Sequence, residues 1–436
     1  MSTAATLPVT MPAGLPRLLA GWYDTGRPAG LRDHLRRYGP VPLRGRSRRG
    51  MPMLAATVEQ AGLAGHGGAW FPAAVKMRSA AAGRGPAVVV ANGSESEPAS
   101  EKDRLLLHVA PHLVLDGAVL AAEAIGADQI FVCVHDDGHL PRWVAAAAEQ
   151  RRAAGLDPVP AEIAAVPQRY VASEETALVQ WLSGGPPLPT FTPPRPYERG
   201  VGGRRTLVHN VETLAHLALL ARYGPGWFRS VGTAEAPGSA LITFGVPTAA
   251  HSGVYEVALG TPIGSLFGLA GAPPGSVQAL LTGGYGGAWI PVRTDLPLTP
   301  GGLRSAGGSL GAGVVIGLPA AACGLAETAR VLAWLAGQGA GQCGPCVYGL
   351  PAIADDFALL AAGKHDPGIL ARLRSRLGTV TGRGACHHPD GAVRLAASAL
   401  SVFASDVGYH LRHGPCRGTR HPPVLPLPGA APRRNR

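Results

Sequence analysis

The stretch PAVVVANGSESEPASEKDR, from Pro86 to Arg104, changes character at Asn92. Before it lies a short β-branched apolar run, the pattern of a strand buried on both faces. After it comes a polar, acidic loop, and then DRLLLHVAPHLVLDGAVLAAEAIG (Asp103–Gly126), apolar at helical spacing, with an acidic start and Pro111 as a kink or break. QIFVCVH (Gln129–His135) is a second strand, with Cys133 read as a core residue. Strand, helix and strand in this order predict a parallel α/β layer. The loop at the carboxyl end of the first strand is where such sheets bind ligands.

In that loop Asn92 can hydrogen-bond the edge of a flavin, and Glu95 and Glu97 can accept from ribose hydroxyls or a carboxamide. The same residues also read as a solvated cap on the next helix. Upstream, GLAGHGGAWFPAAVK (Gly62–Lys76) sets close glycines before a Phe-Pro step and a lysine. Such glycines let backbone N–H groups approach an anionic or planar ligand, and lysine adds charge, although a structural turn accounts for the glycines equally well. Downstream, SEETALVQWLSGG (Ser173–Gly185) predicts a helix with a serine N-cap, two carboxylates in its first turn and glycine at its end. A Pro-rich linker leads to a second capped helix, NVETLAHLALLARYG (Asn210–Gly224). After Gly238, short β-like runs split by Gly and Pro predict a small α+β domain to about Gly308. From Ala320 to His413 four helical patterns predict a bundle.

The chain has 436 residues, 46% hydrophobic and 15% charged, which excludes wholesale disorder and predicts two or three domains. Its net charge of +11 sits at the ends: residues 1–50 carry nine Arg against Asp24 and Asp33, residues 412–436 carry six Arg and no acid, and the body between is at −2. A near-neutral body argues against a nucleic-acid groove, and for ends that meet an acidic partner or simply solvate. Residues 1–52 and 414–436 read as a basic N-terminal extension and a disordered basic tail. No export pattern opens the chain, and the uncharged run Ser305–Ala326 is broken by glycines and Pro319, so a cytoplasmic protein without a direct membrane span is expected. Of six cysteines, Cys343 and Cys346 form a C-x-x-C pair in GQCGPCVYG (Gly341–Gly349). That pair points to a metal or redox site, with zinc the usual occupant, before a disulfide framework.

Taken in order, GHGGAWFPAAVK, VVVANGSESEPASEKDRLLL, YVASEETALV, LVHNVETLAHL, QCGPC and Cys386 in GRGACHHPDG carry a resemblance. Over roughly residues 55–412 the chain resembles the NADH-oxidising flavoprotein subunit of respiratory complex I, and the flavin subunits of hydrogenases and formate dehydrogenases. The resemblance implies an α/β Rossmann-like FMN domain (53–235), a ubiquitin-like α+β domain of the soluble-ligand-binding type (236–308) and a C-terminal four-helix iron–sulfur bundle (309–413). It implies FMN held by Gly65, Gly67, Gly68, Lys76, Asn92, Glu95, Ser173, Glu174, Glu175 and Asn210. It implies NADH bound by Phe71, by Glu97 on the nicotinamide side, and by Arg204, where the family has lysine. No catalytic acid or base is implied, because hydride passes from NADH to the flavin and electrons leave singly.

Cys343, Cys346 and Cys386 are implied as three of the family's four ligands to a [4Fe–4S] cluster. Ala340 stands at the fourth position, which implies a labile or [3Fe–4S] cluster unless His387, His388, Gln342 or Cys416 fills the corner; Cys323 reads as core. Trp70, in place of the family's glycine, and Ser79, in place of an aromatic, imply a crowded nicotinamide slot. The implied partner is an iron–sulfur or ferredoxin-like electron carrier subunit. Two other readings remain open to the sequence: an FMN and iron–sulfur relay that exchanges electrons with ferredoxin without a nicotinamide step, and an interaction subunit whose cofactor sites have decayed.

Overall fold

A computed structural model describes residues 14–43, 51–247 and 249–428. Its first part runs α1 (Ala20–Thr25), α2 (Leu31–Tyr38), α3 (Met51–Ala61), α4 (Ala73–Ala82), β1 (Ala87–Gly93), α5 (Lys102–Val109), α6 (Pro111–Ile125), β2 (Ala127–His135), α7 (Leu140–Ala153), β3 (Ala161–Val166), α8 (Glu175–Leu182), β4 (Arg205–Asn210) and α9 (Val211–Phe228). The four strands form a parallel sheet in the order β3-β2-β1-β4. Val88, Val89 and Val90 of β1 are fully buried, as an apolar run covered by helices on both faces must be. Pro111 has no N–H to continue a helix, and α5 and α6 meet there at 97°. Among the described residues no single helix is long and apolar enough to cross a membrane. Helices α6 and α9 pack backbone to backbone, since a Cβ on Gly117 would lie 1.9 Å from the Leu214 carbonyl oxygen.

The reading of 1–52 as an extension is corrected for residues 14–43. Leu18 and Leu19 are buried in the core of the parallel sheet, and the Arg17, Leu18 and Leu19 N–H groups donate to the buried Glu256 carboxylate. A carboxylate that takes three backbone donors pins the segment despite its surface-like composition.

The second part comprises β5 (Ser239–Gly245), β6 (Gly253–Ala258), α10 (Ile263–Ala270), β7 (Val277–Thr282), β8 (Ala288–Pro291), α11 (Pro300–Ser305) and β9 (Val314–Pro319). They make a mixed sheet, β6-β5-β9-β7-β8. The boundary expected at 308 therefore falls too early, because β9 is the central strand, parallel to β5 and antiparallel to β7. Glycines flank that strand, and its pairing rather than its composition assigns it.

The third part holds α12 (Gly324–Gln338), α13 (Leu350–Ala361), α14 (Ile369–Val380), α15 (His388–Val402) and α16 (Ala404–His413). The last expected helix is two helices, broken at buried Phe403, whose ring packs 5.3 Å from that of Trp289. The tail expected to be disordered is ordered through residue 428. Leu425 is buried, and the Val424 and Leu425 N–H groups donate to Glu327 Oε2 at 3.1 and 2.9 Å. A buried carboxylate and one apolar anchor outweigh the Pro-rich composition there; residues 429–436 lie outside the described set.

Candidate functional site

A cavity of about 100 Å3 opens at the carboxyl ends of β1 and β4. Its walls bring together His66, Gly67, Asn92, residues 94–97, Ser100, Lys102, Asp103, Ser173, Asn210 and Ala312. Asn92, one residue before the end of β1, donates from Nδ2 to the Ser173 carbonyl at 3.0 Å and accepts from the Ser94 N–H at 3.1 Å. Asn210 caps α9 by accepting from the Glu212 N–H at 2.9 Å, and its Nδ2 donates to Asp103 at 2.7 Å and to the Asn92 carbonyl at 3.3 Å. The Ser94 hydroxyl is buried without a hydrogen-bond partner, an arrangement that a polar ligand atom would complete. A larger cavity of about 310 Å3 lies beside α1 and α2 and shares no residue with this one.

The glycine loop before α4 forms the near wall. A Cβ on Gly67 would lie 3.4 Å from that of Asn210, and the Gly65 N–H donates to the Phe71 carbonyl at 2.8 Å. Gly68 has φ +104°, and Trp70, at +53°, is the one non-glycine residue with positive φ among the described residues. Glycine suits that backbone without strain, whereas a side chain there costs about 1–3 kcal/mol. This conformation carries the indole to His66, 4.6 Å between rings, and its N–H to the Gly311 carbonyl at 3.1 Å. Trp70 does not line the cavity.

Lys102 is the charge that the sequence reasoning missed. Its buried ammonium lies 2.7 Å from Asp103 and 2.9 Å from Glu212, and donates to Asn210 at 3.3 Å. Burial pushes Asp103 and Glu95 upward, Glu212 adds repulsion at Asp103 and Asp103 adds it at Glu95, while Lys102 opposes both shifts. The available signal was rarity: Lys76, Lys102 and Lys364 are the only lysines in the chain.

Several expected ligand residues are engaged elsewhere in this structure. Glu95 caps α5, accepting from the Asp103 and Arg104 N–H groups at 3.1 Å each and from the Ser100 hydroxyl at 2.5 Å. Glu174, rather than Ser173, caps α8, accepting from the Thr176 and Ala177 N–H groups at 2.9 and 3.1 Å. Lys76 is paired with Glu175. Phe71 is exposed. Arg204 is not brought to the cavity: it precedes β4, and its guanidinium binds Asp128, Gln129 Oε1 at 3.0 Å and the Ala87 carbonyl at 3.1 Å. That is the amino end of the sheet, about 20 Å along the strand from Asn210.

Glu97 is buried between the sheet part and the helical part. It accepts from the Tyr285 N–H at 2.8 Å and the Tyr170 hydroxyl at 3.2 Å, and a Cβ on Gly284 would stand 2.5 Å from its Oε2. Burial raises Glu97 to about 7, against the lowering effect of those donors. Tyr170 continues the connection, since its N–H donates to Gln338 Oε1 at 3.0 Å and its ring lies 5.3 Å from Trp334 and 5.4 Å from His388.

Two residues before His388 stands Cys386. Cys343 and Cys346 flank the turn into a π-helical segment, Pro345–Gly349, that runs into α13. Cys343 is near enough to raise the proton affinity of both Cys346, which burial pushes up to about 11, and Cys386. The backbone at Gly341 and Ala340 works against the rise at Cys346, and that at His388 against the rise at Cys386. Among the described residues, the trios whose ligand atoms all lie within 4.8 Å of one another are Cys323–His410–Cys416 and His66–Glu212–His216, not these three thiols. A single zinc ion would hold its thiolates about 3.8 Å apart, given Zn–S bonds of about 2.3 Å in a tetrahedron. Wider spacing suits a multi-iron cluster better. Ala340 offers no fourth thiol. His387 is exposed beside Asp390, whereas His388 donates from Nε2 to the Leu335 carbonyl at 2.9 Å and leaves a buried, unpartnered Nδ1.

Comparison with known proteins agrees with this arrangement. Residues 58–219 match the Nuo51 FMN-binding domain, and residues 326–410 match the NADH-ubiquinone oxidoreductase-F iron-sulfur binding region. The NADH-quinone oxidoreductase F subunit of Streptomyces coelicolor is 30% identical over 380 residues, covering 83% of this chain and 84% of the relative. The corresponding F 2 protein of Rhizobium meliloti is 28% identical over 388 residues, 82% of this chain and 89% of the relative. A crystal structure of NAD+-reducing [NiFe]-hydrogenase in its H2-reduced state superposes with a TM-score of 0.81 at 28% identity, over 93% of this chain and 68% of that one.

Proposed function

Because this chain belongs to the family of NADH-quinone oxidoreductase F subunits, with its FMN-binding and iron–sulfur regions, we propose that it passes electrons from NADH through FMN to an iron–sulfur cluster and on to a carrier subunit. One observation carries the reading. Tyr170 touches both Glu97, at the edge of the sheet cavity, and His388, next to the thiols, so the two sites form one contiguous path. Bound FMN supplies the change from hydride to single electrons, and a bound cluster supplies their exit.

On this reading the parallel sheet is a Rossmann-like FMN domain, the mixed sheet through Pro319 is the ubiquitin-like soluble-ligand-binding domain, and α12–α16 form the iron–sulfur bundle. The cavity is smaller than the about 300–1,000 Å3 of most ligand sites. It therefore seats a polar edge of the flavin at Asn92, Ser94, Ser173 and Asn210, while the rest lies along the glycine loop and Lys76. Phe71 offers an exposed ring for stacking, and Glu97 an acceptor for the nicotinamide amide. Cys343, Cys346 and Cys386 hold three corners of the cluster, with His388 Nδ1 the best-placed nitrogen for the fourth. The partner is an iron–sulfur or ferredoxin-like carrier subunit of a larger assembly, met from the cytoplasmic side.

Anaerobic titration of the reconstituted protein with NADH tests this, and flavin bleaching followed by a paramagnetic cluster signal is expected. Flavin that is reduced by ferredoxin but untouched by NADH would instead establish the ferredoxin relay. Protein that retains neither flavin nor iron would establish a decayed subunit.

Glu97 gives a pH signature. Its folded-state proton affinity is raised to about 7, so the neutral form dominates below that value and the ionised acceptor above it. NADH affinity should rise as pH increases through 7, and substitution by glutamine should flatten the profile. The stability contribution has the opposite sense: with a raised acid pKa, the folded state binds more protons than the unfolded one, so stability falls between about pH 4.3 and 7. Calorimetry and NADH titration at several pH values check both; an unchanged profile in Glu97→Gln would remove Glu97 from the site.

Ala340→Cys tests the cluster's register. The Ala340 backbone is near enough to Cys346 to influence its proton affinity, so a thiol at 340 falls beside the proposed cluster. Iron loss in air should slow by about tenfold or more, the scale on which contacts around a metal site act. His388→Ala should hasten it, and His387→Ala should not.

A further inference from the structure

We propose that Cys323, His410 and Cys416 bind one zinc ion that staples the C-terminal strap, residues 415–428, to the helices. Their ligand atoms all lie within 4.8 Å of one another. The Cys323 Sγ to His410 Nε2 separation is 3.7 Å. A tetrahedral zinc with bonds of about 2.3 Å to sulfur and about 2.05 Å to nitrogen sets that edge at about 3.6 Å. This site is separate from the Cys343 trio, and it withdraws Cys416 from the candidates for the fourth cluster corner, because its sulfur faces Cys323 and His410.

The surroundings prepare each ligand. His410 is fully buried, and its Nδ1–H faces the Leu360 carbonyl at 3.2 Å. That leaves Nε2 unprotonated on the side of the thiols; its one lone pair accepts from the Cys416 N–H at 3.2 Å, a hydrogen bond that a bound ion would replace. A carbonyl behind one ring nitrogen is how proteins hold an imidazole ligand by the other. Cys323 is the N-cap residue of the 15-residue α12, where its side chain makes no capping hydrogen bond, and the backbone of Ala326 and Leu325 favours its ionised form. Burial nevertheless pushes Cys323 up to about 12, with Cys416 beside it. Binding exchanges two thiol protons for one Zn2+ and forms two Zn–S bonds and one Zn–N bond. Cys416 is half-buried, so water can take the fourth position.

The staple has a job in the fold. Just past Cys416 the Gly418 carbonyl accepts from the Cys323 N–H at 3.2 Å, and a Cβ on Gly418 would stand 2.9 Å from that nitrogen. The strap then lays Val424 and Leu425 on Glu327 and meets the Tyr285 hydroxyl with the Pro426 carbonyl. Tyr285 is the residue whose N–H holds Glu97. A pinned strap therefore backs the wall of the cavity on the nucleotide side.

Cobalt(II) is the probe, titrated anaerobically into the reduced full chain and read by thiolate-to-cobalt charge transfer, alongside zinc analysis of the protein as purified. One zinc per chain is expected. The cobalt band should persist in the triple variant Cys343→Ser/Cys346→Ser/Cys386→Ser and fall by about tenfold or more in Cys416→Ser, the scale expected of a lost contact at a metal site. Proteolysis within 415–428 should speed up in Cys416→Ser and after chelation. Loss of the band in the triple variant, absence of any bound metal, or a Cys323–Cys416 disulfide in protein prepared under reductant would each overturn the proposal. The wild type and triple variant decide it even if Cys416→Ser fails to fold.

Discussion

Lys102→Met is expected to destabilise the protein by about 3–5 kcal/mol and to abolish flavin retention, because it removes the one cation from a buried group of carboxylates. The ammonium is within 3 Å of both Asp103 and Glu212, and all three side chains are under one-tenth exposed. Methionine matches the length of the stem but leaves those carboxylates unpaired in low dielectric. Burial already raises Asp103 and Glu95, so they can take up protons in place of the lost cation. The cost should therefore be larger at pH 8 than at pH 5. Urea denaturation at the two pH values, with flavin content measured after gel filtration, checks both statements. Adding Glu212→Gln to the variant should recover part of the loss. A variant as stable as the parent at pH 8 would show that the cluster is solvated rather than ion-paired.

Cys386→Ser should have the largest effect on electron delivery. Cys386 closes the trio from the start of α15 while Cys343 and Cys346 approach α13, so its loss leaves the two C-x-x-C thiols without a partner across the helices. Iron and acid-labile sulfide should fall to background, and reduction of a one-electron carrier should drop by more than the about 10–100-fold that loss of a supporting contact costs a metal site. Flavin content and its bleaching by NADH should stay near those of the parent, since none of the cavity residues lies on α12–α16. That split between the two assays distinguishes a lost exit from a collapsed fold. Unchanged iron content would place the cluster elsewhere or exclude it.

Which features the sequence disclosed follows from the range of the contacts that form them. β1, β2, the break at Pro111 and the Asn210 cap rest on side-chain period, on a missing N–H and on a side chain that reaches two residues along, so each is written within a few neighbours. The location of the site followed as well, because a parallel strand delivers its next loop to the carboxyl edge, and Asn92, Ser173 and Asn210 do meet there. The grouping of Cys343, Cys346 and Cys386 as ligands rests on the order of motifs rather than on periodicity.

Partner choice was not written locally. Glu95 is spent on α5 and Glu174 on α8, Arg204 is held by Asp128 and Gln129 at the far edge of the sheet, and Trp70 adopts a glycine backbone that turns it to Gly311. β9 became a strand because β5 and β7 left a gap for it, and the tail became a strap because Glu327 offered an acceptor to two of its N–H groups. Cys323, read as core, met Cys416 and His410 across 87 or more residues. The sequence by itself thus determined the elements and the edge at which they present a ligand. The tertiary structure decided which charge, thiol or strand each residue is spent on, because a buried polar group takes whichever partner the packing brings within about 3 Å, and that partner can lie anywhere along the chain.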